Sequence, residues 1–293
     1  MARRRRRGRG LLTVLLLFAV LVGASAGVVT WLRAHDAPVV EPRCQAALDG
    51  TDWYLTPEQA DNAALLAAVA LRRGLPARAA TIAIATALQE SGLRNLDHGH
   101  LDSLGLFQQR PSQGWGTAEQ VMDPVHATNA FYDALVKVKG YQDMPITEAA
   151  QAVQRSAFPD AYAQHETRAR AWASALTGHS TAAVTCTLRE PASADAAGVL
   201  ARADRDLGAA ATAAPAGSAQ GTTVTVDVRG LPAGDTEPGR LAWAVAQWAV
   251  AVAEPLGLTE ITVGDLTWSR SSGTWAPADA AAPAGQVELR LGR

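Results

Sequence analysis

The chain has 293 residues, a formal net charge of −2 and only two cysteines, Cys44 and Cys186. Six of its positive charges are arginines packed into positions 3–9, so the rest of the chain is clearly acidic, which argues against binding nucleic acid through a basic face. The arginine run reads instead as a topology signal: residues 1–10 form a cytoplasmic tail ahead of an uncharged run, 11–32. As a helix that run would be about 33 Å long, enough to cross a hydrocarbon core. Ala24-Ser25-Ala26 also fits a signal-peptide cleavage site, so 11–32 is either a transmembrane anchor or a cleaved signal sequence. Both readings place everything beyond Arg33 outside the membrane, as a single-pass protein of the cell membrane or as a secreted one.

Residues 33–43 are short, polar and proline-containing, and read as a stalk. Thr56-Pro57-Glu58-Gln59 is a helix start, with a Thr cap, Pro in the first turn and Gln three residues after the cap. That helix should run to about Arg73 and stop at Gly74. A second helix follows Pro76, carries Ile82, Ile84 and Leu88, and ends at Gly92 just after Glu90. Loop or short strand covers 95–109. Thr117 to Gln120 repeats the capping pattern, and Asp123-Pro124 opens a helix with Ala127, Phe131 and Leu135 at helical spacing. Helices also follow Thr147 and Pro159, the last one ending at Gly178. No run of long strands stands out between Thr56 and Gly178.

In an oxidising compartment an isolated cysteine pair forms a disulfide. Cys44 and Cys186 therefore frame a mainly helical domain, 44–186. Residues 187–221 contain a short helix and then a stretch rich in Ala, Gly, Ser and Pro, read as a flexible linker. Residues 222–293 alternate strand patterns with one apolar-faced helix and a hairpin turning at Gly264-Asp265, giving a small α/β domain. Trp268 and Trp275 read as core residues of that domain.

Glu90 is the residue with chemistry to offer. Its helix is apolar, and its place in the last turn sets it near the negative end of the helix dipole. Both features disfavour the charged carboxylate and suit a general acid. The stretch Glu90-Ser91, followed by Gly105-Leu106-Phe107-Gln108 and then by Asp123-Pro124 with Asn129, resembles the lysozyme-like superfamily, in particular its soluble lytic transglycosylase and goose-type lysozyme group. The resemblance covers about residues 56–178. It implies a lysozyme-like fold and cleavage of the peptidoglycan strand between N-acetylmuramic acid and N-acetylglucosamine. Glu90 would be catalytic, Ser91 and the segment Gly105, Leu106, Phe107 and Gln108 would support it or line the groove, and no metal or organic cofactor would be needed.

The group's Ala-Tyr-Asn stretch, whose Tyr supports the acid, is replaced here by Ala152-Val153-Gln154. Gln154 and Tyr162 are the candidate substitutes. The same departure leaves a non-catalytic wall-binding or scaffold protein as the rival reading. Asp97 and Asp102 are candidates for a second carboxylate, which a hydrolase would need and a lytic transglycosylase would not. Loop aspartates more often form turns. Asp97-His98-Gly99-His100 is too sparse a set for a metal site. Trp115 fits a sugar-stacking or a core position equally well. The expected class is thus a mainly α, lysozyme-like domain preceded by one transmembrane helix and followed by a small α/β domain, whose partner the sequence does not reveal.

Overall fold

A computed structural model describes residues 18, 20–28, 30–31, 41–155, 159–191, 193–209, 211–215, 221–231 and 237–292. They fall into two units, 1–41 and 42–293. In the first, Phe18, Val20–Val28, Thr30 and Trp31 are helical. Among the described residues, however, no helix is long and apolar enough to cross a membrane. The expected transmembrane helix, and the cell-membrane localisation drawn from it, are corrected accordingly. The described stretch includes Gly23, Ala24, Ser25, Ala26 and Gly27, and such small side chains supply little of the apolar surface that a span needs. The arginine tail 1–10 and residues 33–40 of the expected stalk lie outside the described residues.

The second unit opens with β1 (Arg43–Leu48) and β2 (Thr51–Leu55), an antiparallel pair. Helix α1 (Pro57–Arg72) follows from the expected capping box: the Thr56 hydroxyl accepts from the Gln59 backbone, and the Gln59 side chain accepts from the Thr56 N–H. Every residue from Ala63 to Leu71 is buried, so α1 is covered on all sides. Helix α2 (Ala77–Ser91) is buried from Ala79 to Leu88 and ends on Gly92 in the left-handed conformation. The alanines that dominate both helices allow close approach of their neighbours. Helices α3 (Ala118–Met122), α4 (Pro124–Leu135), α5 (Ile146–Gln154) and α6 (Glu166–Leu176) complete the helical part, with a 3-10 turn, Pro159–His165, before α6. Strand β3 (Val184–Thr187) then returns to β1. Cys44 stands opposite Cys186 in that pairing, and the two form a disulfide.

Beyond β3 come α7 (Ala196–Leu207), β4 (Ala211–Pro215), β5 (Thr222–Asp227), α8 (Pro238–Ala251), β6 (Leu258–Val263), β7 (Leu266–Ser269), β8 (Thr274–Pro277) and β9 (Gln286–Leu291). The strands make one antiparallel sheet in the order β4-β5-β9-β6-β7-β8. The fold class therefore differs from the expected mainly helical one. About 49% of the chain is helix and 20% strand, in sheets of three and six strands, with no membrane-spanning helix among the described residues. Two of the strands hide in alanine-rich sequence. Ala211–Pro215 lies inside the stretch read as a linker, yet it pairs with β5 along its length. Arg43–Leu48 carries no β-branched residue, so propensity alone does not mark it.

The helical part and the sheet part share one apolar core. Helix α8 is the seam. Its Gln247 is fully buried, and its amide makes four hydrogen bonds to the helical part. The oxygen accepts from the N–H groups of Ala183 (2.8 Å) and Val184 (2.9 Å), and the nitrogen donates to the carbonyls of Ala175 and Ser180 (both 2.7 Å). Next along α8, the Trp248 indole donates to the buried Asp206 carboxylate at 3.0 Å. Arg202 bridges Asp206 to Asp61 of α1. Trp275 of β8 donates to the Val184 carbonyl at 2.9 Å. Trp268 is fully buried, whereas Trp275 is only partly covered and meets Trp243 edge-on.

Candidate active site

Glu90 occupies the last turn of α2, and the helix stops two residues later because Gly92 takes φ +65°, a conformation glycine adopts without steric cost. Ser91 fastens this helix end to the next motif. Its hydroxyl lies 2.7 Å from the carbonyl of Leu106 and 3.1 Å from that of Ala87. Gly105 is required where it stands: its φ is +76°, and a Cβ there would lie 2.6 Å from the Val121 carbonyl oxygen. Leu106 and Phe107 are fully buried, and the Phe107 ring stacks on Phe131 with centroids 4.4 Å apart. The Glu90-Ser91 and Gly105-Leu106-Phe107 stretches are thus joined by a hydrogen bond and anchored by an aromatic pair.

The Tyr162 hydroxyl donates to Oε1 of Glu90 at 2.6 Å. The Gln154 amide lies close enough to favour the charged carboxylate, while its Nε2 donates to the Phe107 carbonyl at 2.7 Å. Tyr162 is fully buried, in the 3-10 turn, while Gln154 ends α5. Burial pushes the Glu90 carboxyl above the usual carboxylate range, and the Tyr162 bond and the nearby Gln154 amide pull the other way without cancelling it. A carboxyl held this way can stay protonated at a pH where an exposed one is charged. It can then give up its proton and be stabilised as the anion by the Tyr162 hydroxyl, with the Gln154 amide nearby.

The other expected site residues go elsewhere. Gln108 has φ +48°, and its Nε2 reaches the carbonyls of His98 (3.3 Å) and Gly105 (3.4 Å), so its side chain braces its own loop. Asp102 accepts from Arg110 Nε (2.7 Å) and from the Ser112 N–H (2.8 Å), which hold it far below the usual carboxylate range. Asp97 is exposed and bonded to His98 at 2.7 Å, an arrangement that lowers its pKa as well. Both aspartates are committed to local partners. Among the described residues no three or more His, Cys, Asp and Glu side chains converge as a metal site would require.

Gln89 is a contributor the sequence reading passed over. Its Oε1 is bonded by Gln164 Nε2 (3.1 Å) and by the His165 ring (3.0 Å), so it ties the turn that carries Tyr162 to the helix that carries Glu90. A Gln beside the acid at the end of an otherwise apolar helix was the available signal.

An open cleft of about 890 Å³ lies alongside, lined by Trp115, by Asp133 and Lys137 from the α4 side, and by Gln154 and Arg155 at the end of α5. Glu90 is not part of its lining; Gln154 is, and its bond to the Phe107 carbonyl ties the cleft wall to the segment that Ser91 fastens beside Glu90. Neither a family model nor a curated protein matches the chain.

Proposed function

We propose that this protein cleaves the glycan strands of peptidoglycan by a lytic transglycosylase type of reaction, with Glu90 as the single acid and base. The observation that carries the reading is the half-buried Glu90 carboxyl, its pKa raised, under a 2.6 Å hydrogen bond from Tyr162. The expected helix carries no Tyr, and Tyr162 supplies the phenol from the neighbouring turn. The ordered motifs around it support the same reading, since Ser91 binds the backbone of the segment that begins at Gly105.

In this chemistry protonated Glu90 gives its proton to the glycosidic oxygen as the bond from C1 of N-acetylmuramic acid to that oxygen breaks. The Glu90 carboxylate then takes the proton of the sugar's own C6 hydroxyl while that oxygen bonds to C1, closing a 1,6-anhydro ring. No second carboxylate is needed, which agrees with Asp97 and Asp102 being committed to His98 and Arg110. The disulfide suits the oxidising surroundings in which such a substrate lies.

The test is digestion of purified peptidoglycan by the chain and by Glu90→Gln, with mass spectrometry of the products. Anhydro-muropeptides from the parent, lost in the variant, are expected. Reducing-end products would make the reaction hydrolytic, and wall binding with no products at all would leave a binding protein.

A further inference from the structure

We propose that Lys137 and Arg155 form a subsite that takes a carboxylate borne by the peptide stem of the bound strand; this rests on the glycan-cleaving reading above. The two residues come from different elements, Lys137 just past the end of α4 and Arg155 at the end of α5, and both line the 890 Å³ cleft. Neither has an ion-pair partner among the described residues. The one carboxylate in the lining, Asp133, is already engaged by Arg73 at 2.6 Å. The cleft therefore presents two cations with no opposing charge to spend them on, in a chain whose formal net charge is −2. An incoming anion is the complement that fits.

Placement decides which anion. Gln154 lines the cleft and donates to the Phe107 carbonyl at 2.7 Å, in the segment that Ser91 fastens to the end of the helix carrying Glu90, so an occupant of the cleft lies close to the acid. The neighbouring Arg155 is held at φ +53°, a left-handed conformation that non-glycine residues rarely adopt. On a strand positioned for cleavage beside its muramic acid, the nearest carboxylates are those of the stem peptide on that sugar. Trp115, in the lining of the same cleft, offers an apolar surface for the uncharged part of the stem or for a sugar ring.

The test compares the full chain with a Lys137→Gln/Arg155→Gln variant on three strands: with intact stems, with amidated stem carboxylates, and without stems. The parent is expected to favour intact stems by about tenfold in kcat/KM. The variant should lose that preference through KM, with kcat and the cleavage of stem-free strands unchanged. Lys137→Arg and Arg155→Lys keep the charge and should keep most of the preference, which separates a lost contact from a damaged fold. Equal losses on all three strands, or an undiminished preference in the variant, would overturn the subsite. If the parent cuts none of them, the glycan-cleaving reading fails, and equilibrium binding of a disaccharide tetrapeptide and its amide then decides the subsite by itself. Tighter binding of the acid form, lost in the variant, would uphold the subsite; equal binding of the two forms would sink it.

Discussion

Glu90 sets two opposing effects against each other. Burial raises its pKa, while the hydrogen bond from Tyr162 and the nearby Gln154 amide lower it, and burial is the larger. Removing the phenol donor in Tyr162→Phe should raise the pKa further, moving the alkaline limb of the pH–rate profile to higher pH. A hydrogen bond to a charged group contributes about 1.5–3 kcal/mol, so kcat should also fall roughly ten- to a hundredfold. A profile unmoved by Tyr162→Phe would remove Tyr162 from the chemistry. The stability consequence has a definite sign. A carboxyl whose pKa is raised by folding favours the fold below its unfolded pKa, and that contribution is lost as pH rises through the folded value. Glu90→Gln should therefore melt higher than the parent at neutral pH, with the gap closing towards about pH 4. Thermal melts across that range check it. That Glu90 stands out was legible in the sequence, because an apolar helix ending in Glu contradicts the dipole rule and the ordered motifs after it mark the same residue. The fate of Gln108 was not, because its motif says nothing of the left-handed φ that turns its amide back onto the loop.

The elements follow local rules where caps are strong and escape them where alanine prevails. Thr56 with Gln59 and Thr117 with Gln120 both form the capping boxes their spacing implies, and Asp123 caps α4 through the N–H groups of Val125 and His126. The hairpin at Gly264-Asp265 also stands where glycine marks it, with Gly264 at φ +54°. Strands β1 and β4 gave no comparable signal, because each is specified by its partner strand rather than by its own residues. Nor did the periodicity of α8 show what Gln247 would do, since an isolated Gln on an apolar helix reads as a surface position. In the fold its amide satisfies two donors and two acceptors away from water. Gln247→Leu has nearly the same bulk but takes their partner from the Ala183 and Val184 N–H groups and the Ser180 carbonyl, while the Ala175 carbonyl keeps the Gly178 N–H. At about 1–3 kcal/mol for each buried group left unsatisfied, the loss should be roughly 3 kcal/mol or more, read as a lower urea midpoint. A change within about 0.5 kcal/mol, the range of ordinary surface substitutions, would mean that these groups find other partners.

At the scale of the whole molecule, the question is whether residues beyond Cys186 form a module of their own. Two constraints bear on it. The disulfide closes a separation of 142 residues, and its loss in Cys44→Ala/Cys186→Ala should cost about 2–5 kcal/mol, checked by melting with and without reductant. That bridge fastens only the rim of the helical part, at the β1–β3 pair. The centre is fastened by α8. Helix α1 is buried at every position from Ala63 to Leu71, and a helix that is apolar all round needs cover on every side. The helical part covers only some of those sides. Helices α7 and α8 pack against the remainder, with the Arg202 link between Asp61 and Asp206 across the same seam. A chain ending after Leu188 would expose one side of α1 and strip the Gln247 partners from Ala183 and Val184, even with its disulfide intact. Such a fragment should lack a cooperative urea transition and dispersed amide resonances, whereas the full chain should unfold residues 42–293 in a single step. A fragment with a native-like spectrum, and glycan cleavage equal to that of the full chain, would show instead that the helical part needs none of this cover, and that the sheet part serves a separate purpose.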